Sequence, residues 1–146
     1  MTDKVIERGF VAKASIEIKS PISKVWGALT NPEIIKQFMF GSEVVTDWIE
    51  GHSILYRGIW NGKPFEDKGN IITIIPEKTL VTTHYSPLSG IPDIEENYHT
   101  VRYDLINQGN ATIVTLTQDN NCSEDERKHS EENWNIILEK LKSLLE

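Results

Sequence analysis

A single cysteine, Cys122, stands in 146 residues, so no disulfide within the chain can staple the fold and no cysteine pair can hold zinc. No apolar run approaches the roughly 20 residues needed to cross a bilayer. The opening stretch from Met1 to Phe10 also lacks the apolar core of a secretory signal. These absences predict a cytoplasmic protein without membrane insertion. Positive charge is short as well: 15 Lys and Arg face 22 Asp and Glu, a net charge of −7, which repels phosphate backbones and argues against nucleic acid as a partner. Catalytic and metal signatures are missing too. There is no Gly-x-Ser-x-Gly elbow, and His52, His84, His99 and His129 show no His-Glu-x-x-His spacing. Gly58-Ile-Trp-Asn-Gly62-Lys63-Pro64 is one residue short of a phosphate loop and has Pro where Ser or Thr would ligate magnesium. No metal, no cofactor and no assignable catalytic residue is therefore expected.

What is present describes a globule. Apolar residues at 38% and charged residues at 25% fit neither disorder nor a membrane protein, and a chain of this length buries about two-thirds of its unfolded surface. One domain over residues 1–146 is expected. Ala12 to Lys19 alternates Ala12, Ala14, Ile16 and Ile18 with Lys13, Ser15, Glu17 and Lys19, the period of a strand with one buried face. Two helix starts follow in tandem, Ser20-Pro21 and Asn31-Pro32, each pairing a capping side chain with a proline whose missing N–H costs nothing there. Val25, Trp26 and Leu29 share one helical face, Ile34, Ile35, Phe38 and Met39 another, and Gly41 ends the run.

Six further strands are predicted at Glu43 to Trp48, Ser53 to Trp60, Lys68 to Ile75, Thr79 to Tyr85, Tyr98 to Ile106 and Ala111 to Gln118. Asn61-Gly62 is a two-residue hairpin signal, and the other short links favour antiparallel neighbours. Ser86 to Asn97, with two prolines and one glycine, reads as a long irregular loop. Ser123 to Glu126 is a capping box opening a helix of about 33 Å that runs to Leu145. Its apolar stripe, Trp134, Ile137, Leu138, Leu141, Leu144 and Leu145, fills only the C-terminal half. Carried backwards by helical steps, the same face holds Arg127, Ser130 and Asn133.

Strand, two small helices, six-strand meander and terminal helix is the helix-grip arrangement, an α+β fold in which a seven-stranded curved antiparallel sheet wraps a long C-terminal helix. In detail the chain resembles the activator of Hsp90 ATPase homologue 1-like family of the START/Bet v 1-like superfamily. The matching words are Ser20-Pro21 followed by Val25 to Glu33, the Gly51 turn, the Gly69 strand, and Gly109 to Thr117 leading into the last helix. Two departures alter the cavity region: Gly51-His52 replaces a common Gly-Gly pair, and Phe38-Met39-Phe40 stands where a Trp is usual. The resemblance implies binding of lipids, sterols, polyketides or other apolar molecules, with cyclisation, hydrolysis or chaperone contact in some members.

One helix cannot fill the concave side of such a sheet, so either bulky side chains or a guest occupies the remaining space. Phe38, Phe40, Trp48, Tyr56, Trp60, Tyr85, Tyr103 and Trp134 either line that space or complete a dry core. Arg127, Ser130 and Asn133 either sit over a pocket mouth or form a solvated half-helix. His84 is the acid/base candidate because imidazole titrates near neutrality, against a purely structural role. Arg57 either meets a ligand carboxylate or faces solvent. The leading expectation is non-catalytic binding of a small, mostly apolar molecule. The alternatives are a cyclase or hydrolase using His84, and a chaperone-associated module presenting the sheet's outer surface or the acidic Asp93 to Glu96 loop.

Overall fold

A computed structural model of the chain describes residues 8–146. The reading of the opening stretch as free of a signal segment therefore falls, for residues 1–7, outside the described residues. The elements run β1 (Phe10–Ile18), α1 (Ile22–Leu29), α2 (Pro32–Phe38), β2 (Glu43–Val45), β3 (Ser53–Trp60), β4 (Lys63–Ile75), β5 (Thr79–His84), β6 (His99–Gln108), β7 (Ala111–Asn121) and α3 (Glu124–Leu145). Seven strands form one sheet in the order β1-β7-β6-β5-β4-β3-β2, with antiparallel pairing throughout. This is the helix-grip α+β arrangement expected from the sequence.

β1 buries Ala12, Ala14 and Ile18 and exposes Lys13, Ser15 and Glu17, as its alternation requires. As an edge strand it carries unpaired donors; α3 satisfies one of them, and the residue after α3 satisfies the amide just past the strand's end. The amide of Lys13 donates to Glu131 Oε2 at 3.0 Å and that of Lys19 to Glu146 Oε2 at 2.7 Å. Those bonds seal an edge that would otherwise recruit a foreign strand. They also hold both carboxyls below the ordinary glutamate range, for Glu131 chiefly through the Lys13 amide and for Glu146 chiefly through Lys142.

The second helix starts as predicted: Asn31 Oδ1 accepts from the Glu33 amide at 3.0 Å, with Pro32 in the first turn. The first does not. Pro21 itself occupies the cap in an extended conformation, and among the described residues no side chain caps α1. Ser20 lies one residue outside, buried at 3% exposure, with its Oγ unpaired among the described residues and its carbonyl accepting from Thr112 Oγ1 at 2.9 Å. Its part is to dock the chain onto β7. At α3 the box forms with a shift: Ser123 Oγ accepts from the Glu126 amide, while Glu126 Oε1 accepts from the Cys122 amide.

Strand ends shift from expectation by one to five residues, β7 running to Asn121 rather than Gln118, and two of the shifts have local reasons. The strand predicted at Glu43 to Trp48 stops at Val45, because Asp47 Oδ1 accepts from the Ile49 amide in a turn and Trp48 has φ 62°. β4 begins at Lys63, five residues before the predicted start. Asn61 (φ 52°) and Gly62 (φ 77°) form a tight two-residue turn that returns the chain directly beside β3.

β4 pairs on both edges. Lys63 to Asn70 lies beside β3 and Ile71 to Ile75 beside β5, and the two overlap: Lys68 and Tyr85 exchange backbone hydrogen bonds, and the Ile71 amide donates to the His52 carbonyl at 2.9 Å. In this overlap the backbone of Gly69 lies so close to β5 that a Cβ there would sit 1.7 Å from the Thr83 carbonyl oxygen. The ladder is broken locally, with the Asn70 amide donating to Thr83 Oγ1 at 2.9 Å. Beyond it, between Ile71 and Thr73, β4 carries one residue more than β5, a bulge of the kind that bends and twists a strand locally.

α3 packs chiefly on β1, with further contacts to β7, α1 and α2. Ile137, Leu138, Leu141 and Leu145 are buried and Leu144 is 42% exposed, so the stripe that meets the core is narrower than the sequence implies. Gly69→Ala is expected to lower stability by about 2–4 kcal/mol in urea unfolding, since the strands must separate to admit the methyl. Gly27→Ala, on α1 with nothing within 4 Å of the added carbon, is expected to be neutral or stabilising by up to about 1 kcal/mol.

Candidate functional site

The concave face of β3 to β7 turns inward Ile54 and Tyr56, Phe65 and Asp67, Leu80, Thr82 and His84, His99, Val101 and Tyr103, and Gln118. Because α3 lies mainly over β1, it contributes only Trp134 to this region, while Leu29, Ile35 and Phe38 approach from α1 and α2. The surfaces meet at Trp134, against Gln118 and Tyr103, and elsewhere leave a cavity of about 240 Å³, just below the usual range for pockets that take drug-sized ligands.

Two aromatic residues of the wall sit in strained backbone. Phe40 has φ 55° and Trp48 φ 62°, in the left-handed region that bulky residues avoid. Phe40 occupies the position after the α2 cap where glycine is usual, and the Gly41 amide donates to the Lys36 carbonyl at 2.9 Å, closing the terminal turn behind it. Phe40 is 54% exposed, so its burial alone does not account for the strained choice.

Most polar atoms of the wall are paired among themselves. Trp134 Nε1 donates to Gln118 Oε1 at 2.5 Å, and the Trp134 ring stands edge-on to Tyr103 with centroids 6.4 Å apart. His84 Nε2 is 2.9 Å from Asp67 Oδ2, and Tyr56 meets the His84 ring edge-on at 5.5 Å. Directly across the β5–β6 ladder stands His99, its ring centroid 6.4 Å from that of His84. His99 Nδ1 lies 2.8 Å from the Asp119 carbonyl oxygen, which can only accept. Burial, reinforced by the Asp67 charge and opposed by a hydrogen bond with Thr82, pushes the Tyr56 hydroxyl up to about 12. Burial, with Tyr56 adding to it, raises Tyr103 as well. Both phenols stay neutral across the physiological range.

Of the sequence-predicted residues, Phe38, Phe40, Trp48, Tyr56, His84, Tyr103 and Trp134 line this cavity. The others lie elsewhere. Trp60 is 62% exposed at the β3–β4 hairpin. Tyr85 alternates to the face opposite His84, where its hydroxyl donates to the Ile91 carbonyl at 2.5 Å and its ring stacks on Tyr98, pinning the 86–97 loop. Arg127 pairs with Glu124 at 2.8 Å and Glu131 at 2.6 Å, Ser130 donates to Asn121 Oδ1 at 2.9 Å, and Asn133 is exposed. That half of α3 runs along the end of β7 and β1, away from the cavity. Arg57 faces outward and pairs with Glu66 at 2.6 Å. In the 86–97 loop, Asp93 accepts from Tyr98 and pairs with Lys68, while Glu95 and Glu96 are exposed.

Asp67, His99, Gln118, Phe65 and Thr82 were not singled out from sequence. Register would have found the first two. The Asn61-Gly62 turn sets Tyr56 opposite Asp67, and alternation from Tyr103 puts His99 on the same face. Among the described residues no group of three or more His, Cys, Asp or Glu side chains is placed to hold a metal ion, and no helix is long and apolar enough to cross a membrane.

The sequence profile described as activator of Hsp90 ATPase homolog 1-like protein matches residues 19–146. The solution structure of ChR145 from Cytophaga hutchinsonii is similar at 50% identity over 96% of each chain, with a TM-score of 0.84. The Aha1 dimer from Colwellia psychrerythraea shares the fold at 23% identity, covering 94% of this chain and 96% of that one, with a TM-score of 0.73. DynU16, a protein of the dynemicin biosynthetic locus, shares it at 16% identity over 92% of this chain and 46% of its own, with a TM-score of 0.77. No curated protein matches the chain significantly.

Relief of backbone strain gives a test of the wall's construction. Phe40→Gly is expected to be more stable than Phe40→Ala by about 1 kcal/mol in chemical unfolding, because glycine occupies the left-handed position without a Cβ penalty.

Proposed function

The chain belongs to the activator of Hsp90 ATPase homolog 1-like family, and on that footing we propose that it binds one small, mostly apolar molecule, without turning it over, between the curved sheet and the roof of α1, α2 and Trp134, rather than under the length of α3 as the sequence suggests. The observation that carries this reading is the hollow of about 240 Å³ walled by rings and aliphatic chains, with Asp67, Thr82, His84, His99 and Gln118 as polar groups on β4 to β7. Removing apolar ligand surface from water supplies the affinity, at about 25 cal/mol per Å². His84, held by Asp67, and the paired Trp134 and Gln118 supply fixed directions for a polar substituent. The strained Phe40 and Trp48 support the same reading, since two aromatic residues kept in the left-handed region shape the wall at a cost to the fold. That DynU16 comes from the dynemicin biosynthetic locus is in keeping with a small-molecule guest.

Native mass spectrometry of protein purified from its host is expected to reveal an added small mass that is released on denaturation. Leu80→Trp, which fills the cavity from β5, is expected to abolish that mass while unfolding cooperatively, at a packing cost of about 1–3 kcal/mol. An empty wild-type protein, or an equal added mass in the variant, would contradict the proposal.

The Asp67–His84 pair also favours a second reading, that of a cyclase or hydrolase. A carboxylate on Nε2 fixes the ring and leaves Nδ1 to take a proton from a bound substrate. If so, His84→Ala should lower turnover of a screened substrate by about 10²–10⁴-fold without changing the unfolding midpoint greatly. Unchanged turnover would remove His84 from any such role.

A further inference from the structure

The polar end of the cavity has a defined hydrogen-bonding polarity. His99 Nδ1 faces the Asp119 carbonyl oxygen at 2.8 Å, and a carbonyl cannot donate, so the ring's proton is committed to Nδ1. In the neutral imidazole Nε2 is then an acceptor, and His99 lines the cavity. The ring is held from behind. Asp119 is 2% exposed and its carboxylate accepts from the Thr100 amide at 2.6 Å and the Arg8 amide at 3.1 Å, which fixes the backbone that orients His99. Gln118 is a diagonal neighbour of His99 on the same face of the β6–β7 ladder. Its Oε1 accepts from Trp134 Nε1, which turns the donating NH₂ the other way and leaves it for a ligand. An acceptor and a donor at neighbouring positions of one face match a hydroxyl, which both donates and accepts. A carboxylate, which only accepts, would find no donor at His99 and would stand in the same cavity as the Asp67 carboxylate. The rings of Phe38, Phe65, Tyr103 and Trp134 in the wall favour flat apolar guests that make edge and face contacts.

Building on the proposed binding role, we infer that the cavity selects hydroxylated aromatic molecules, with the hydroxyl donating to His99 Nε2 and accepting from Gln118. Calorimetric titration at about pH 8, above the ordinary imidazole range near 6.5, compares 2-naphthol, 2-methoxynaphthalene, which keeps the shape and lacks the donor, and 2-naphthoate. 2-Naphthol is expected to bind about tenfold more tightly than the ether, the penalty for leaving a buried acceptor unmade, and more tightly than the acid. In His99→Leu the preference over the ether is expected to fall to about twofold or less, with overall affinity for the ether retained. Equal binding of 2-naphthol and its ether, tighter binding of the acid, or a preference that survives His99→Leu would overturn the inference while leaving the cavity a binding site. Failure of all three ligands to bind would defeat this inference and count against the proposed function as well. Should His99→Leu fail to fold, the wild-type comparison of naphthol with its ether decides the matter alone.

Discussion

The middle of this sheet depends on how closely two backbones approach at one point. With no Cβ at residue 69, β4 can lie against the Thr83 carbonyl and keep β3 on one edge and β5 on the other. α3 covers the β1 side of that sheet and leaves the β3 to β6 side to be roofed by α2 and the chain from Met39 to Trp48. The cavity is the space under that second roof, so its place follows from where α3 lies rather than from any one lining side chain.

What keeps the space from collapsing is the stiffness of its wall. Phe40 and Trp48 are set by left-handed backbone, Trp134 is tied to Gln118, and His84 is tied to Asp67. Each of these pairs satisfies a polar atom that would otherwise carry a desolvation penalty of about 1–3 kcal/mol. Asp67 Oδ1 and Ser20 Oγ are the buried side-chain atoms without a partner among the described residues. The first belongs to the cavity wall and the second to the junction of α1 with β7, so the unpaired atom at the site is part of the same polar group that holds His84.

Local chemistry in the sequence was readable where one or two residues decide the outcome. Asn31 before Pro32, Ser123 before Glu126, and the Asn61-Gly62 turn all act within a few bonds, and all form. Ser20 fails the same test because Pro21 takes the extended cap conformation itself. Face assignments within a strand were also accessible: His84 and Tyr85 are adjacent, so strict alternation cannot put both into one cavity, and only His84 is there. The half-buried side of α3 at Arg127 and Ser130 was readable as a face, but not what that face meets. Asn121 and Glu131 answer it, and that depends on where a distant strand ends. Trp60 shares its face with Tyr56 yet falls outside the hollow, because the hairpin extends past the roof. Hollow volume is a tertiary remainder, and no local pattern encodes it.

An unfilled, mainly apolar space persists between the sheet and its roofing helices. Crystals pressurised with xenon address it directly, since the gas enters dry apolar cavities and is seen by its scattering. Xenon density is expected between Phe38 on one side and Leu80 and Val101 on the other. An intact fold with Phe38 packed directly on Leu80 and Val101, and no xenon between them, would show that no such space exists.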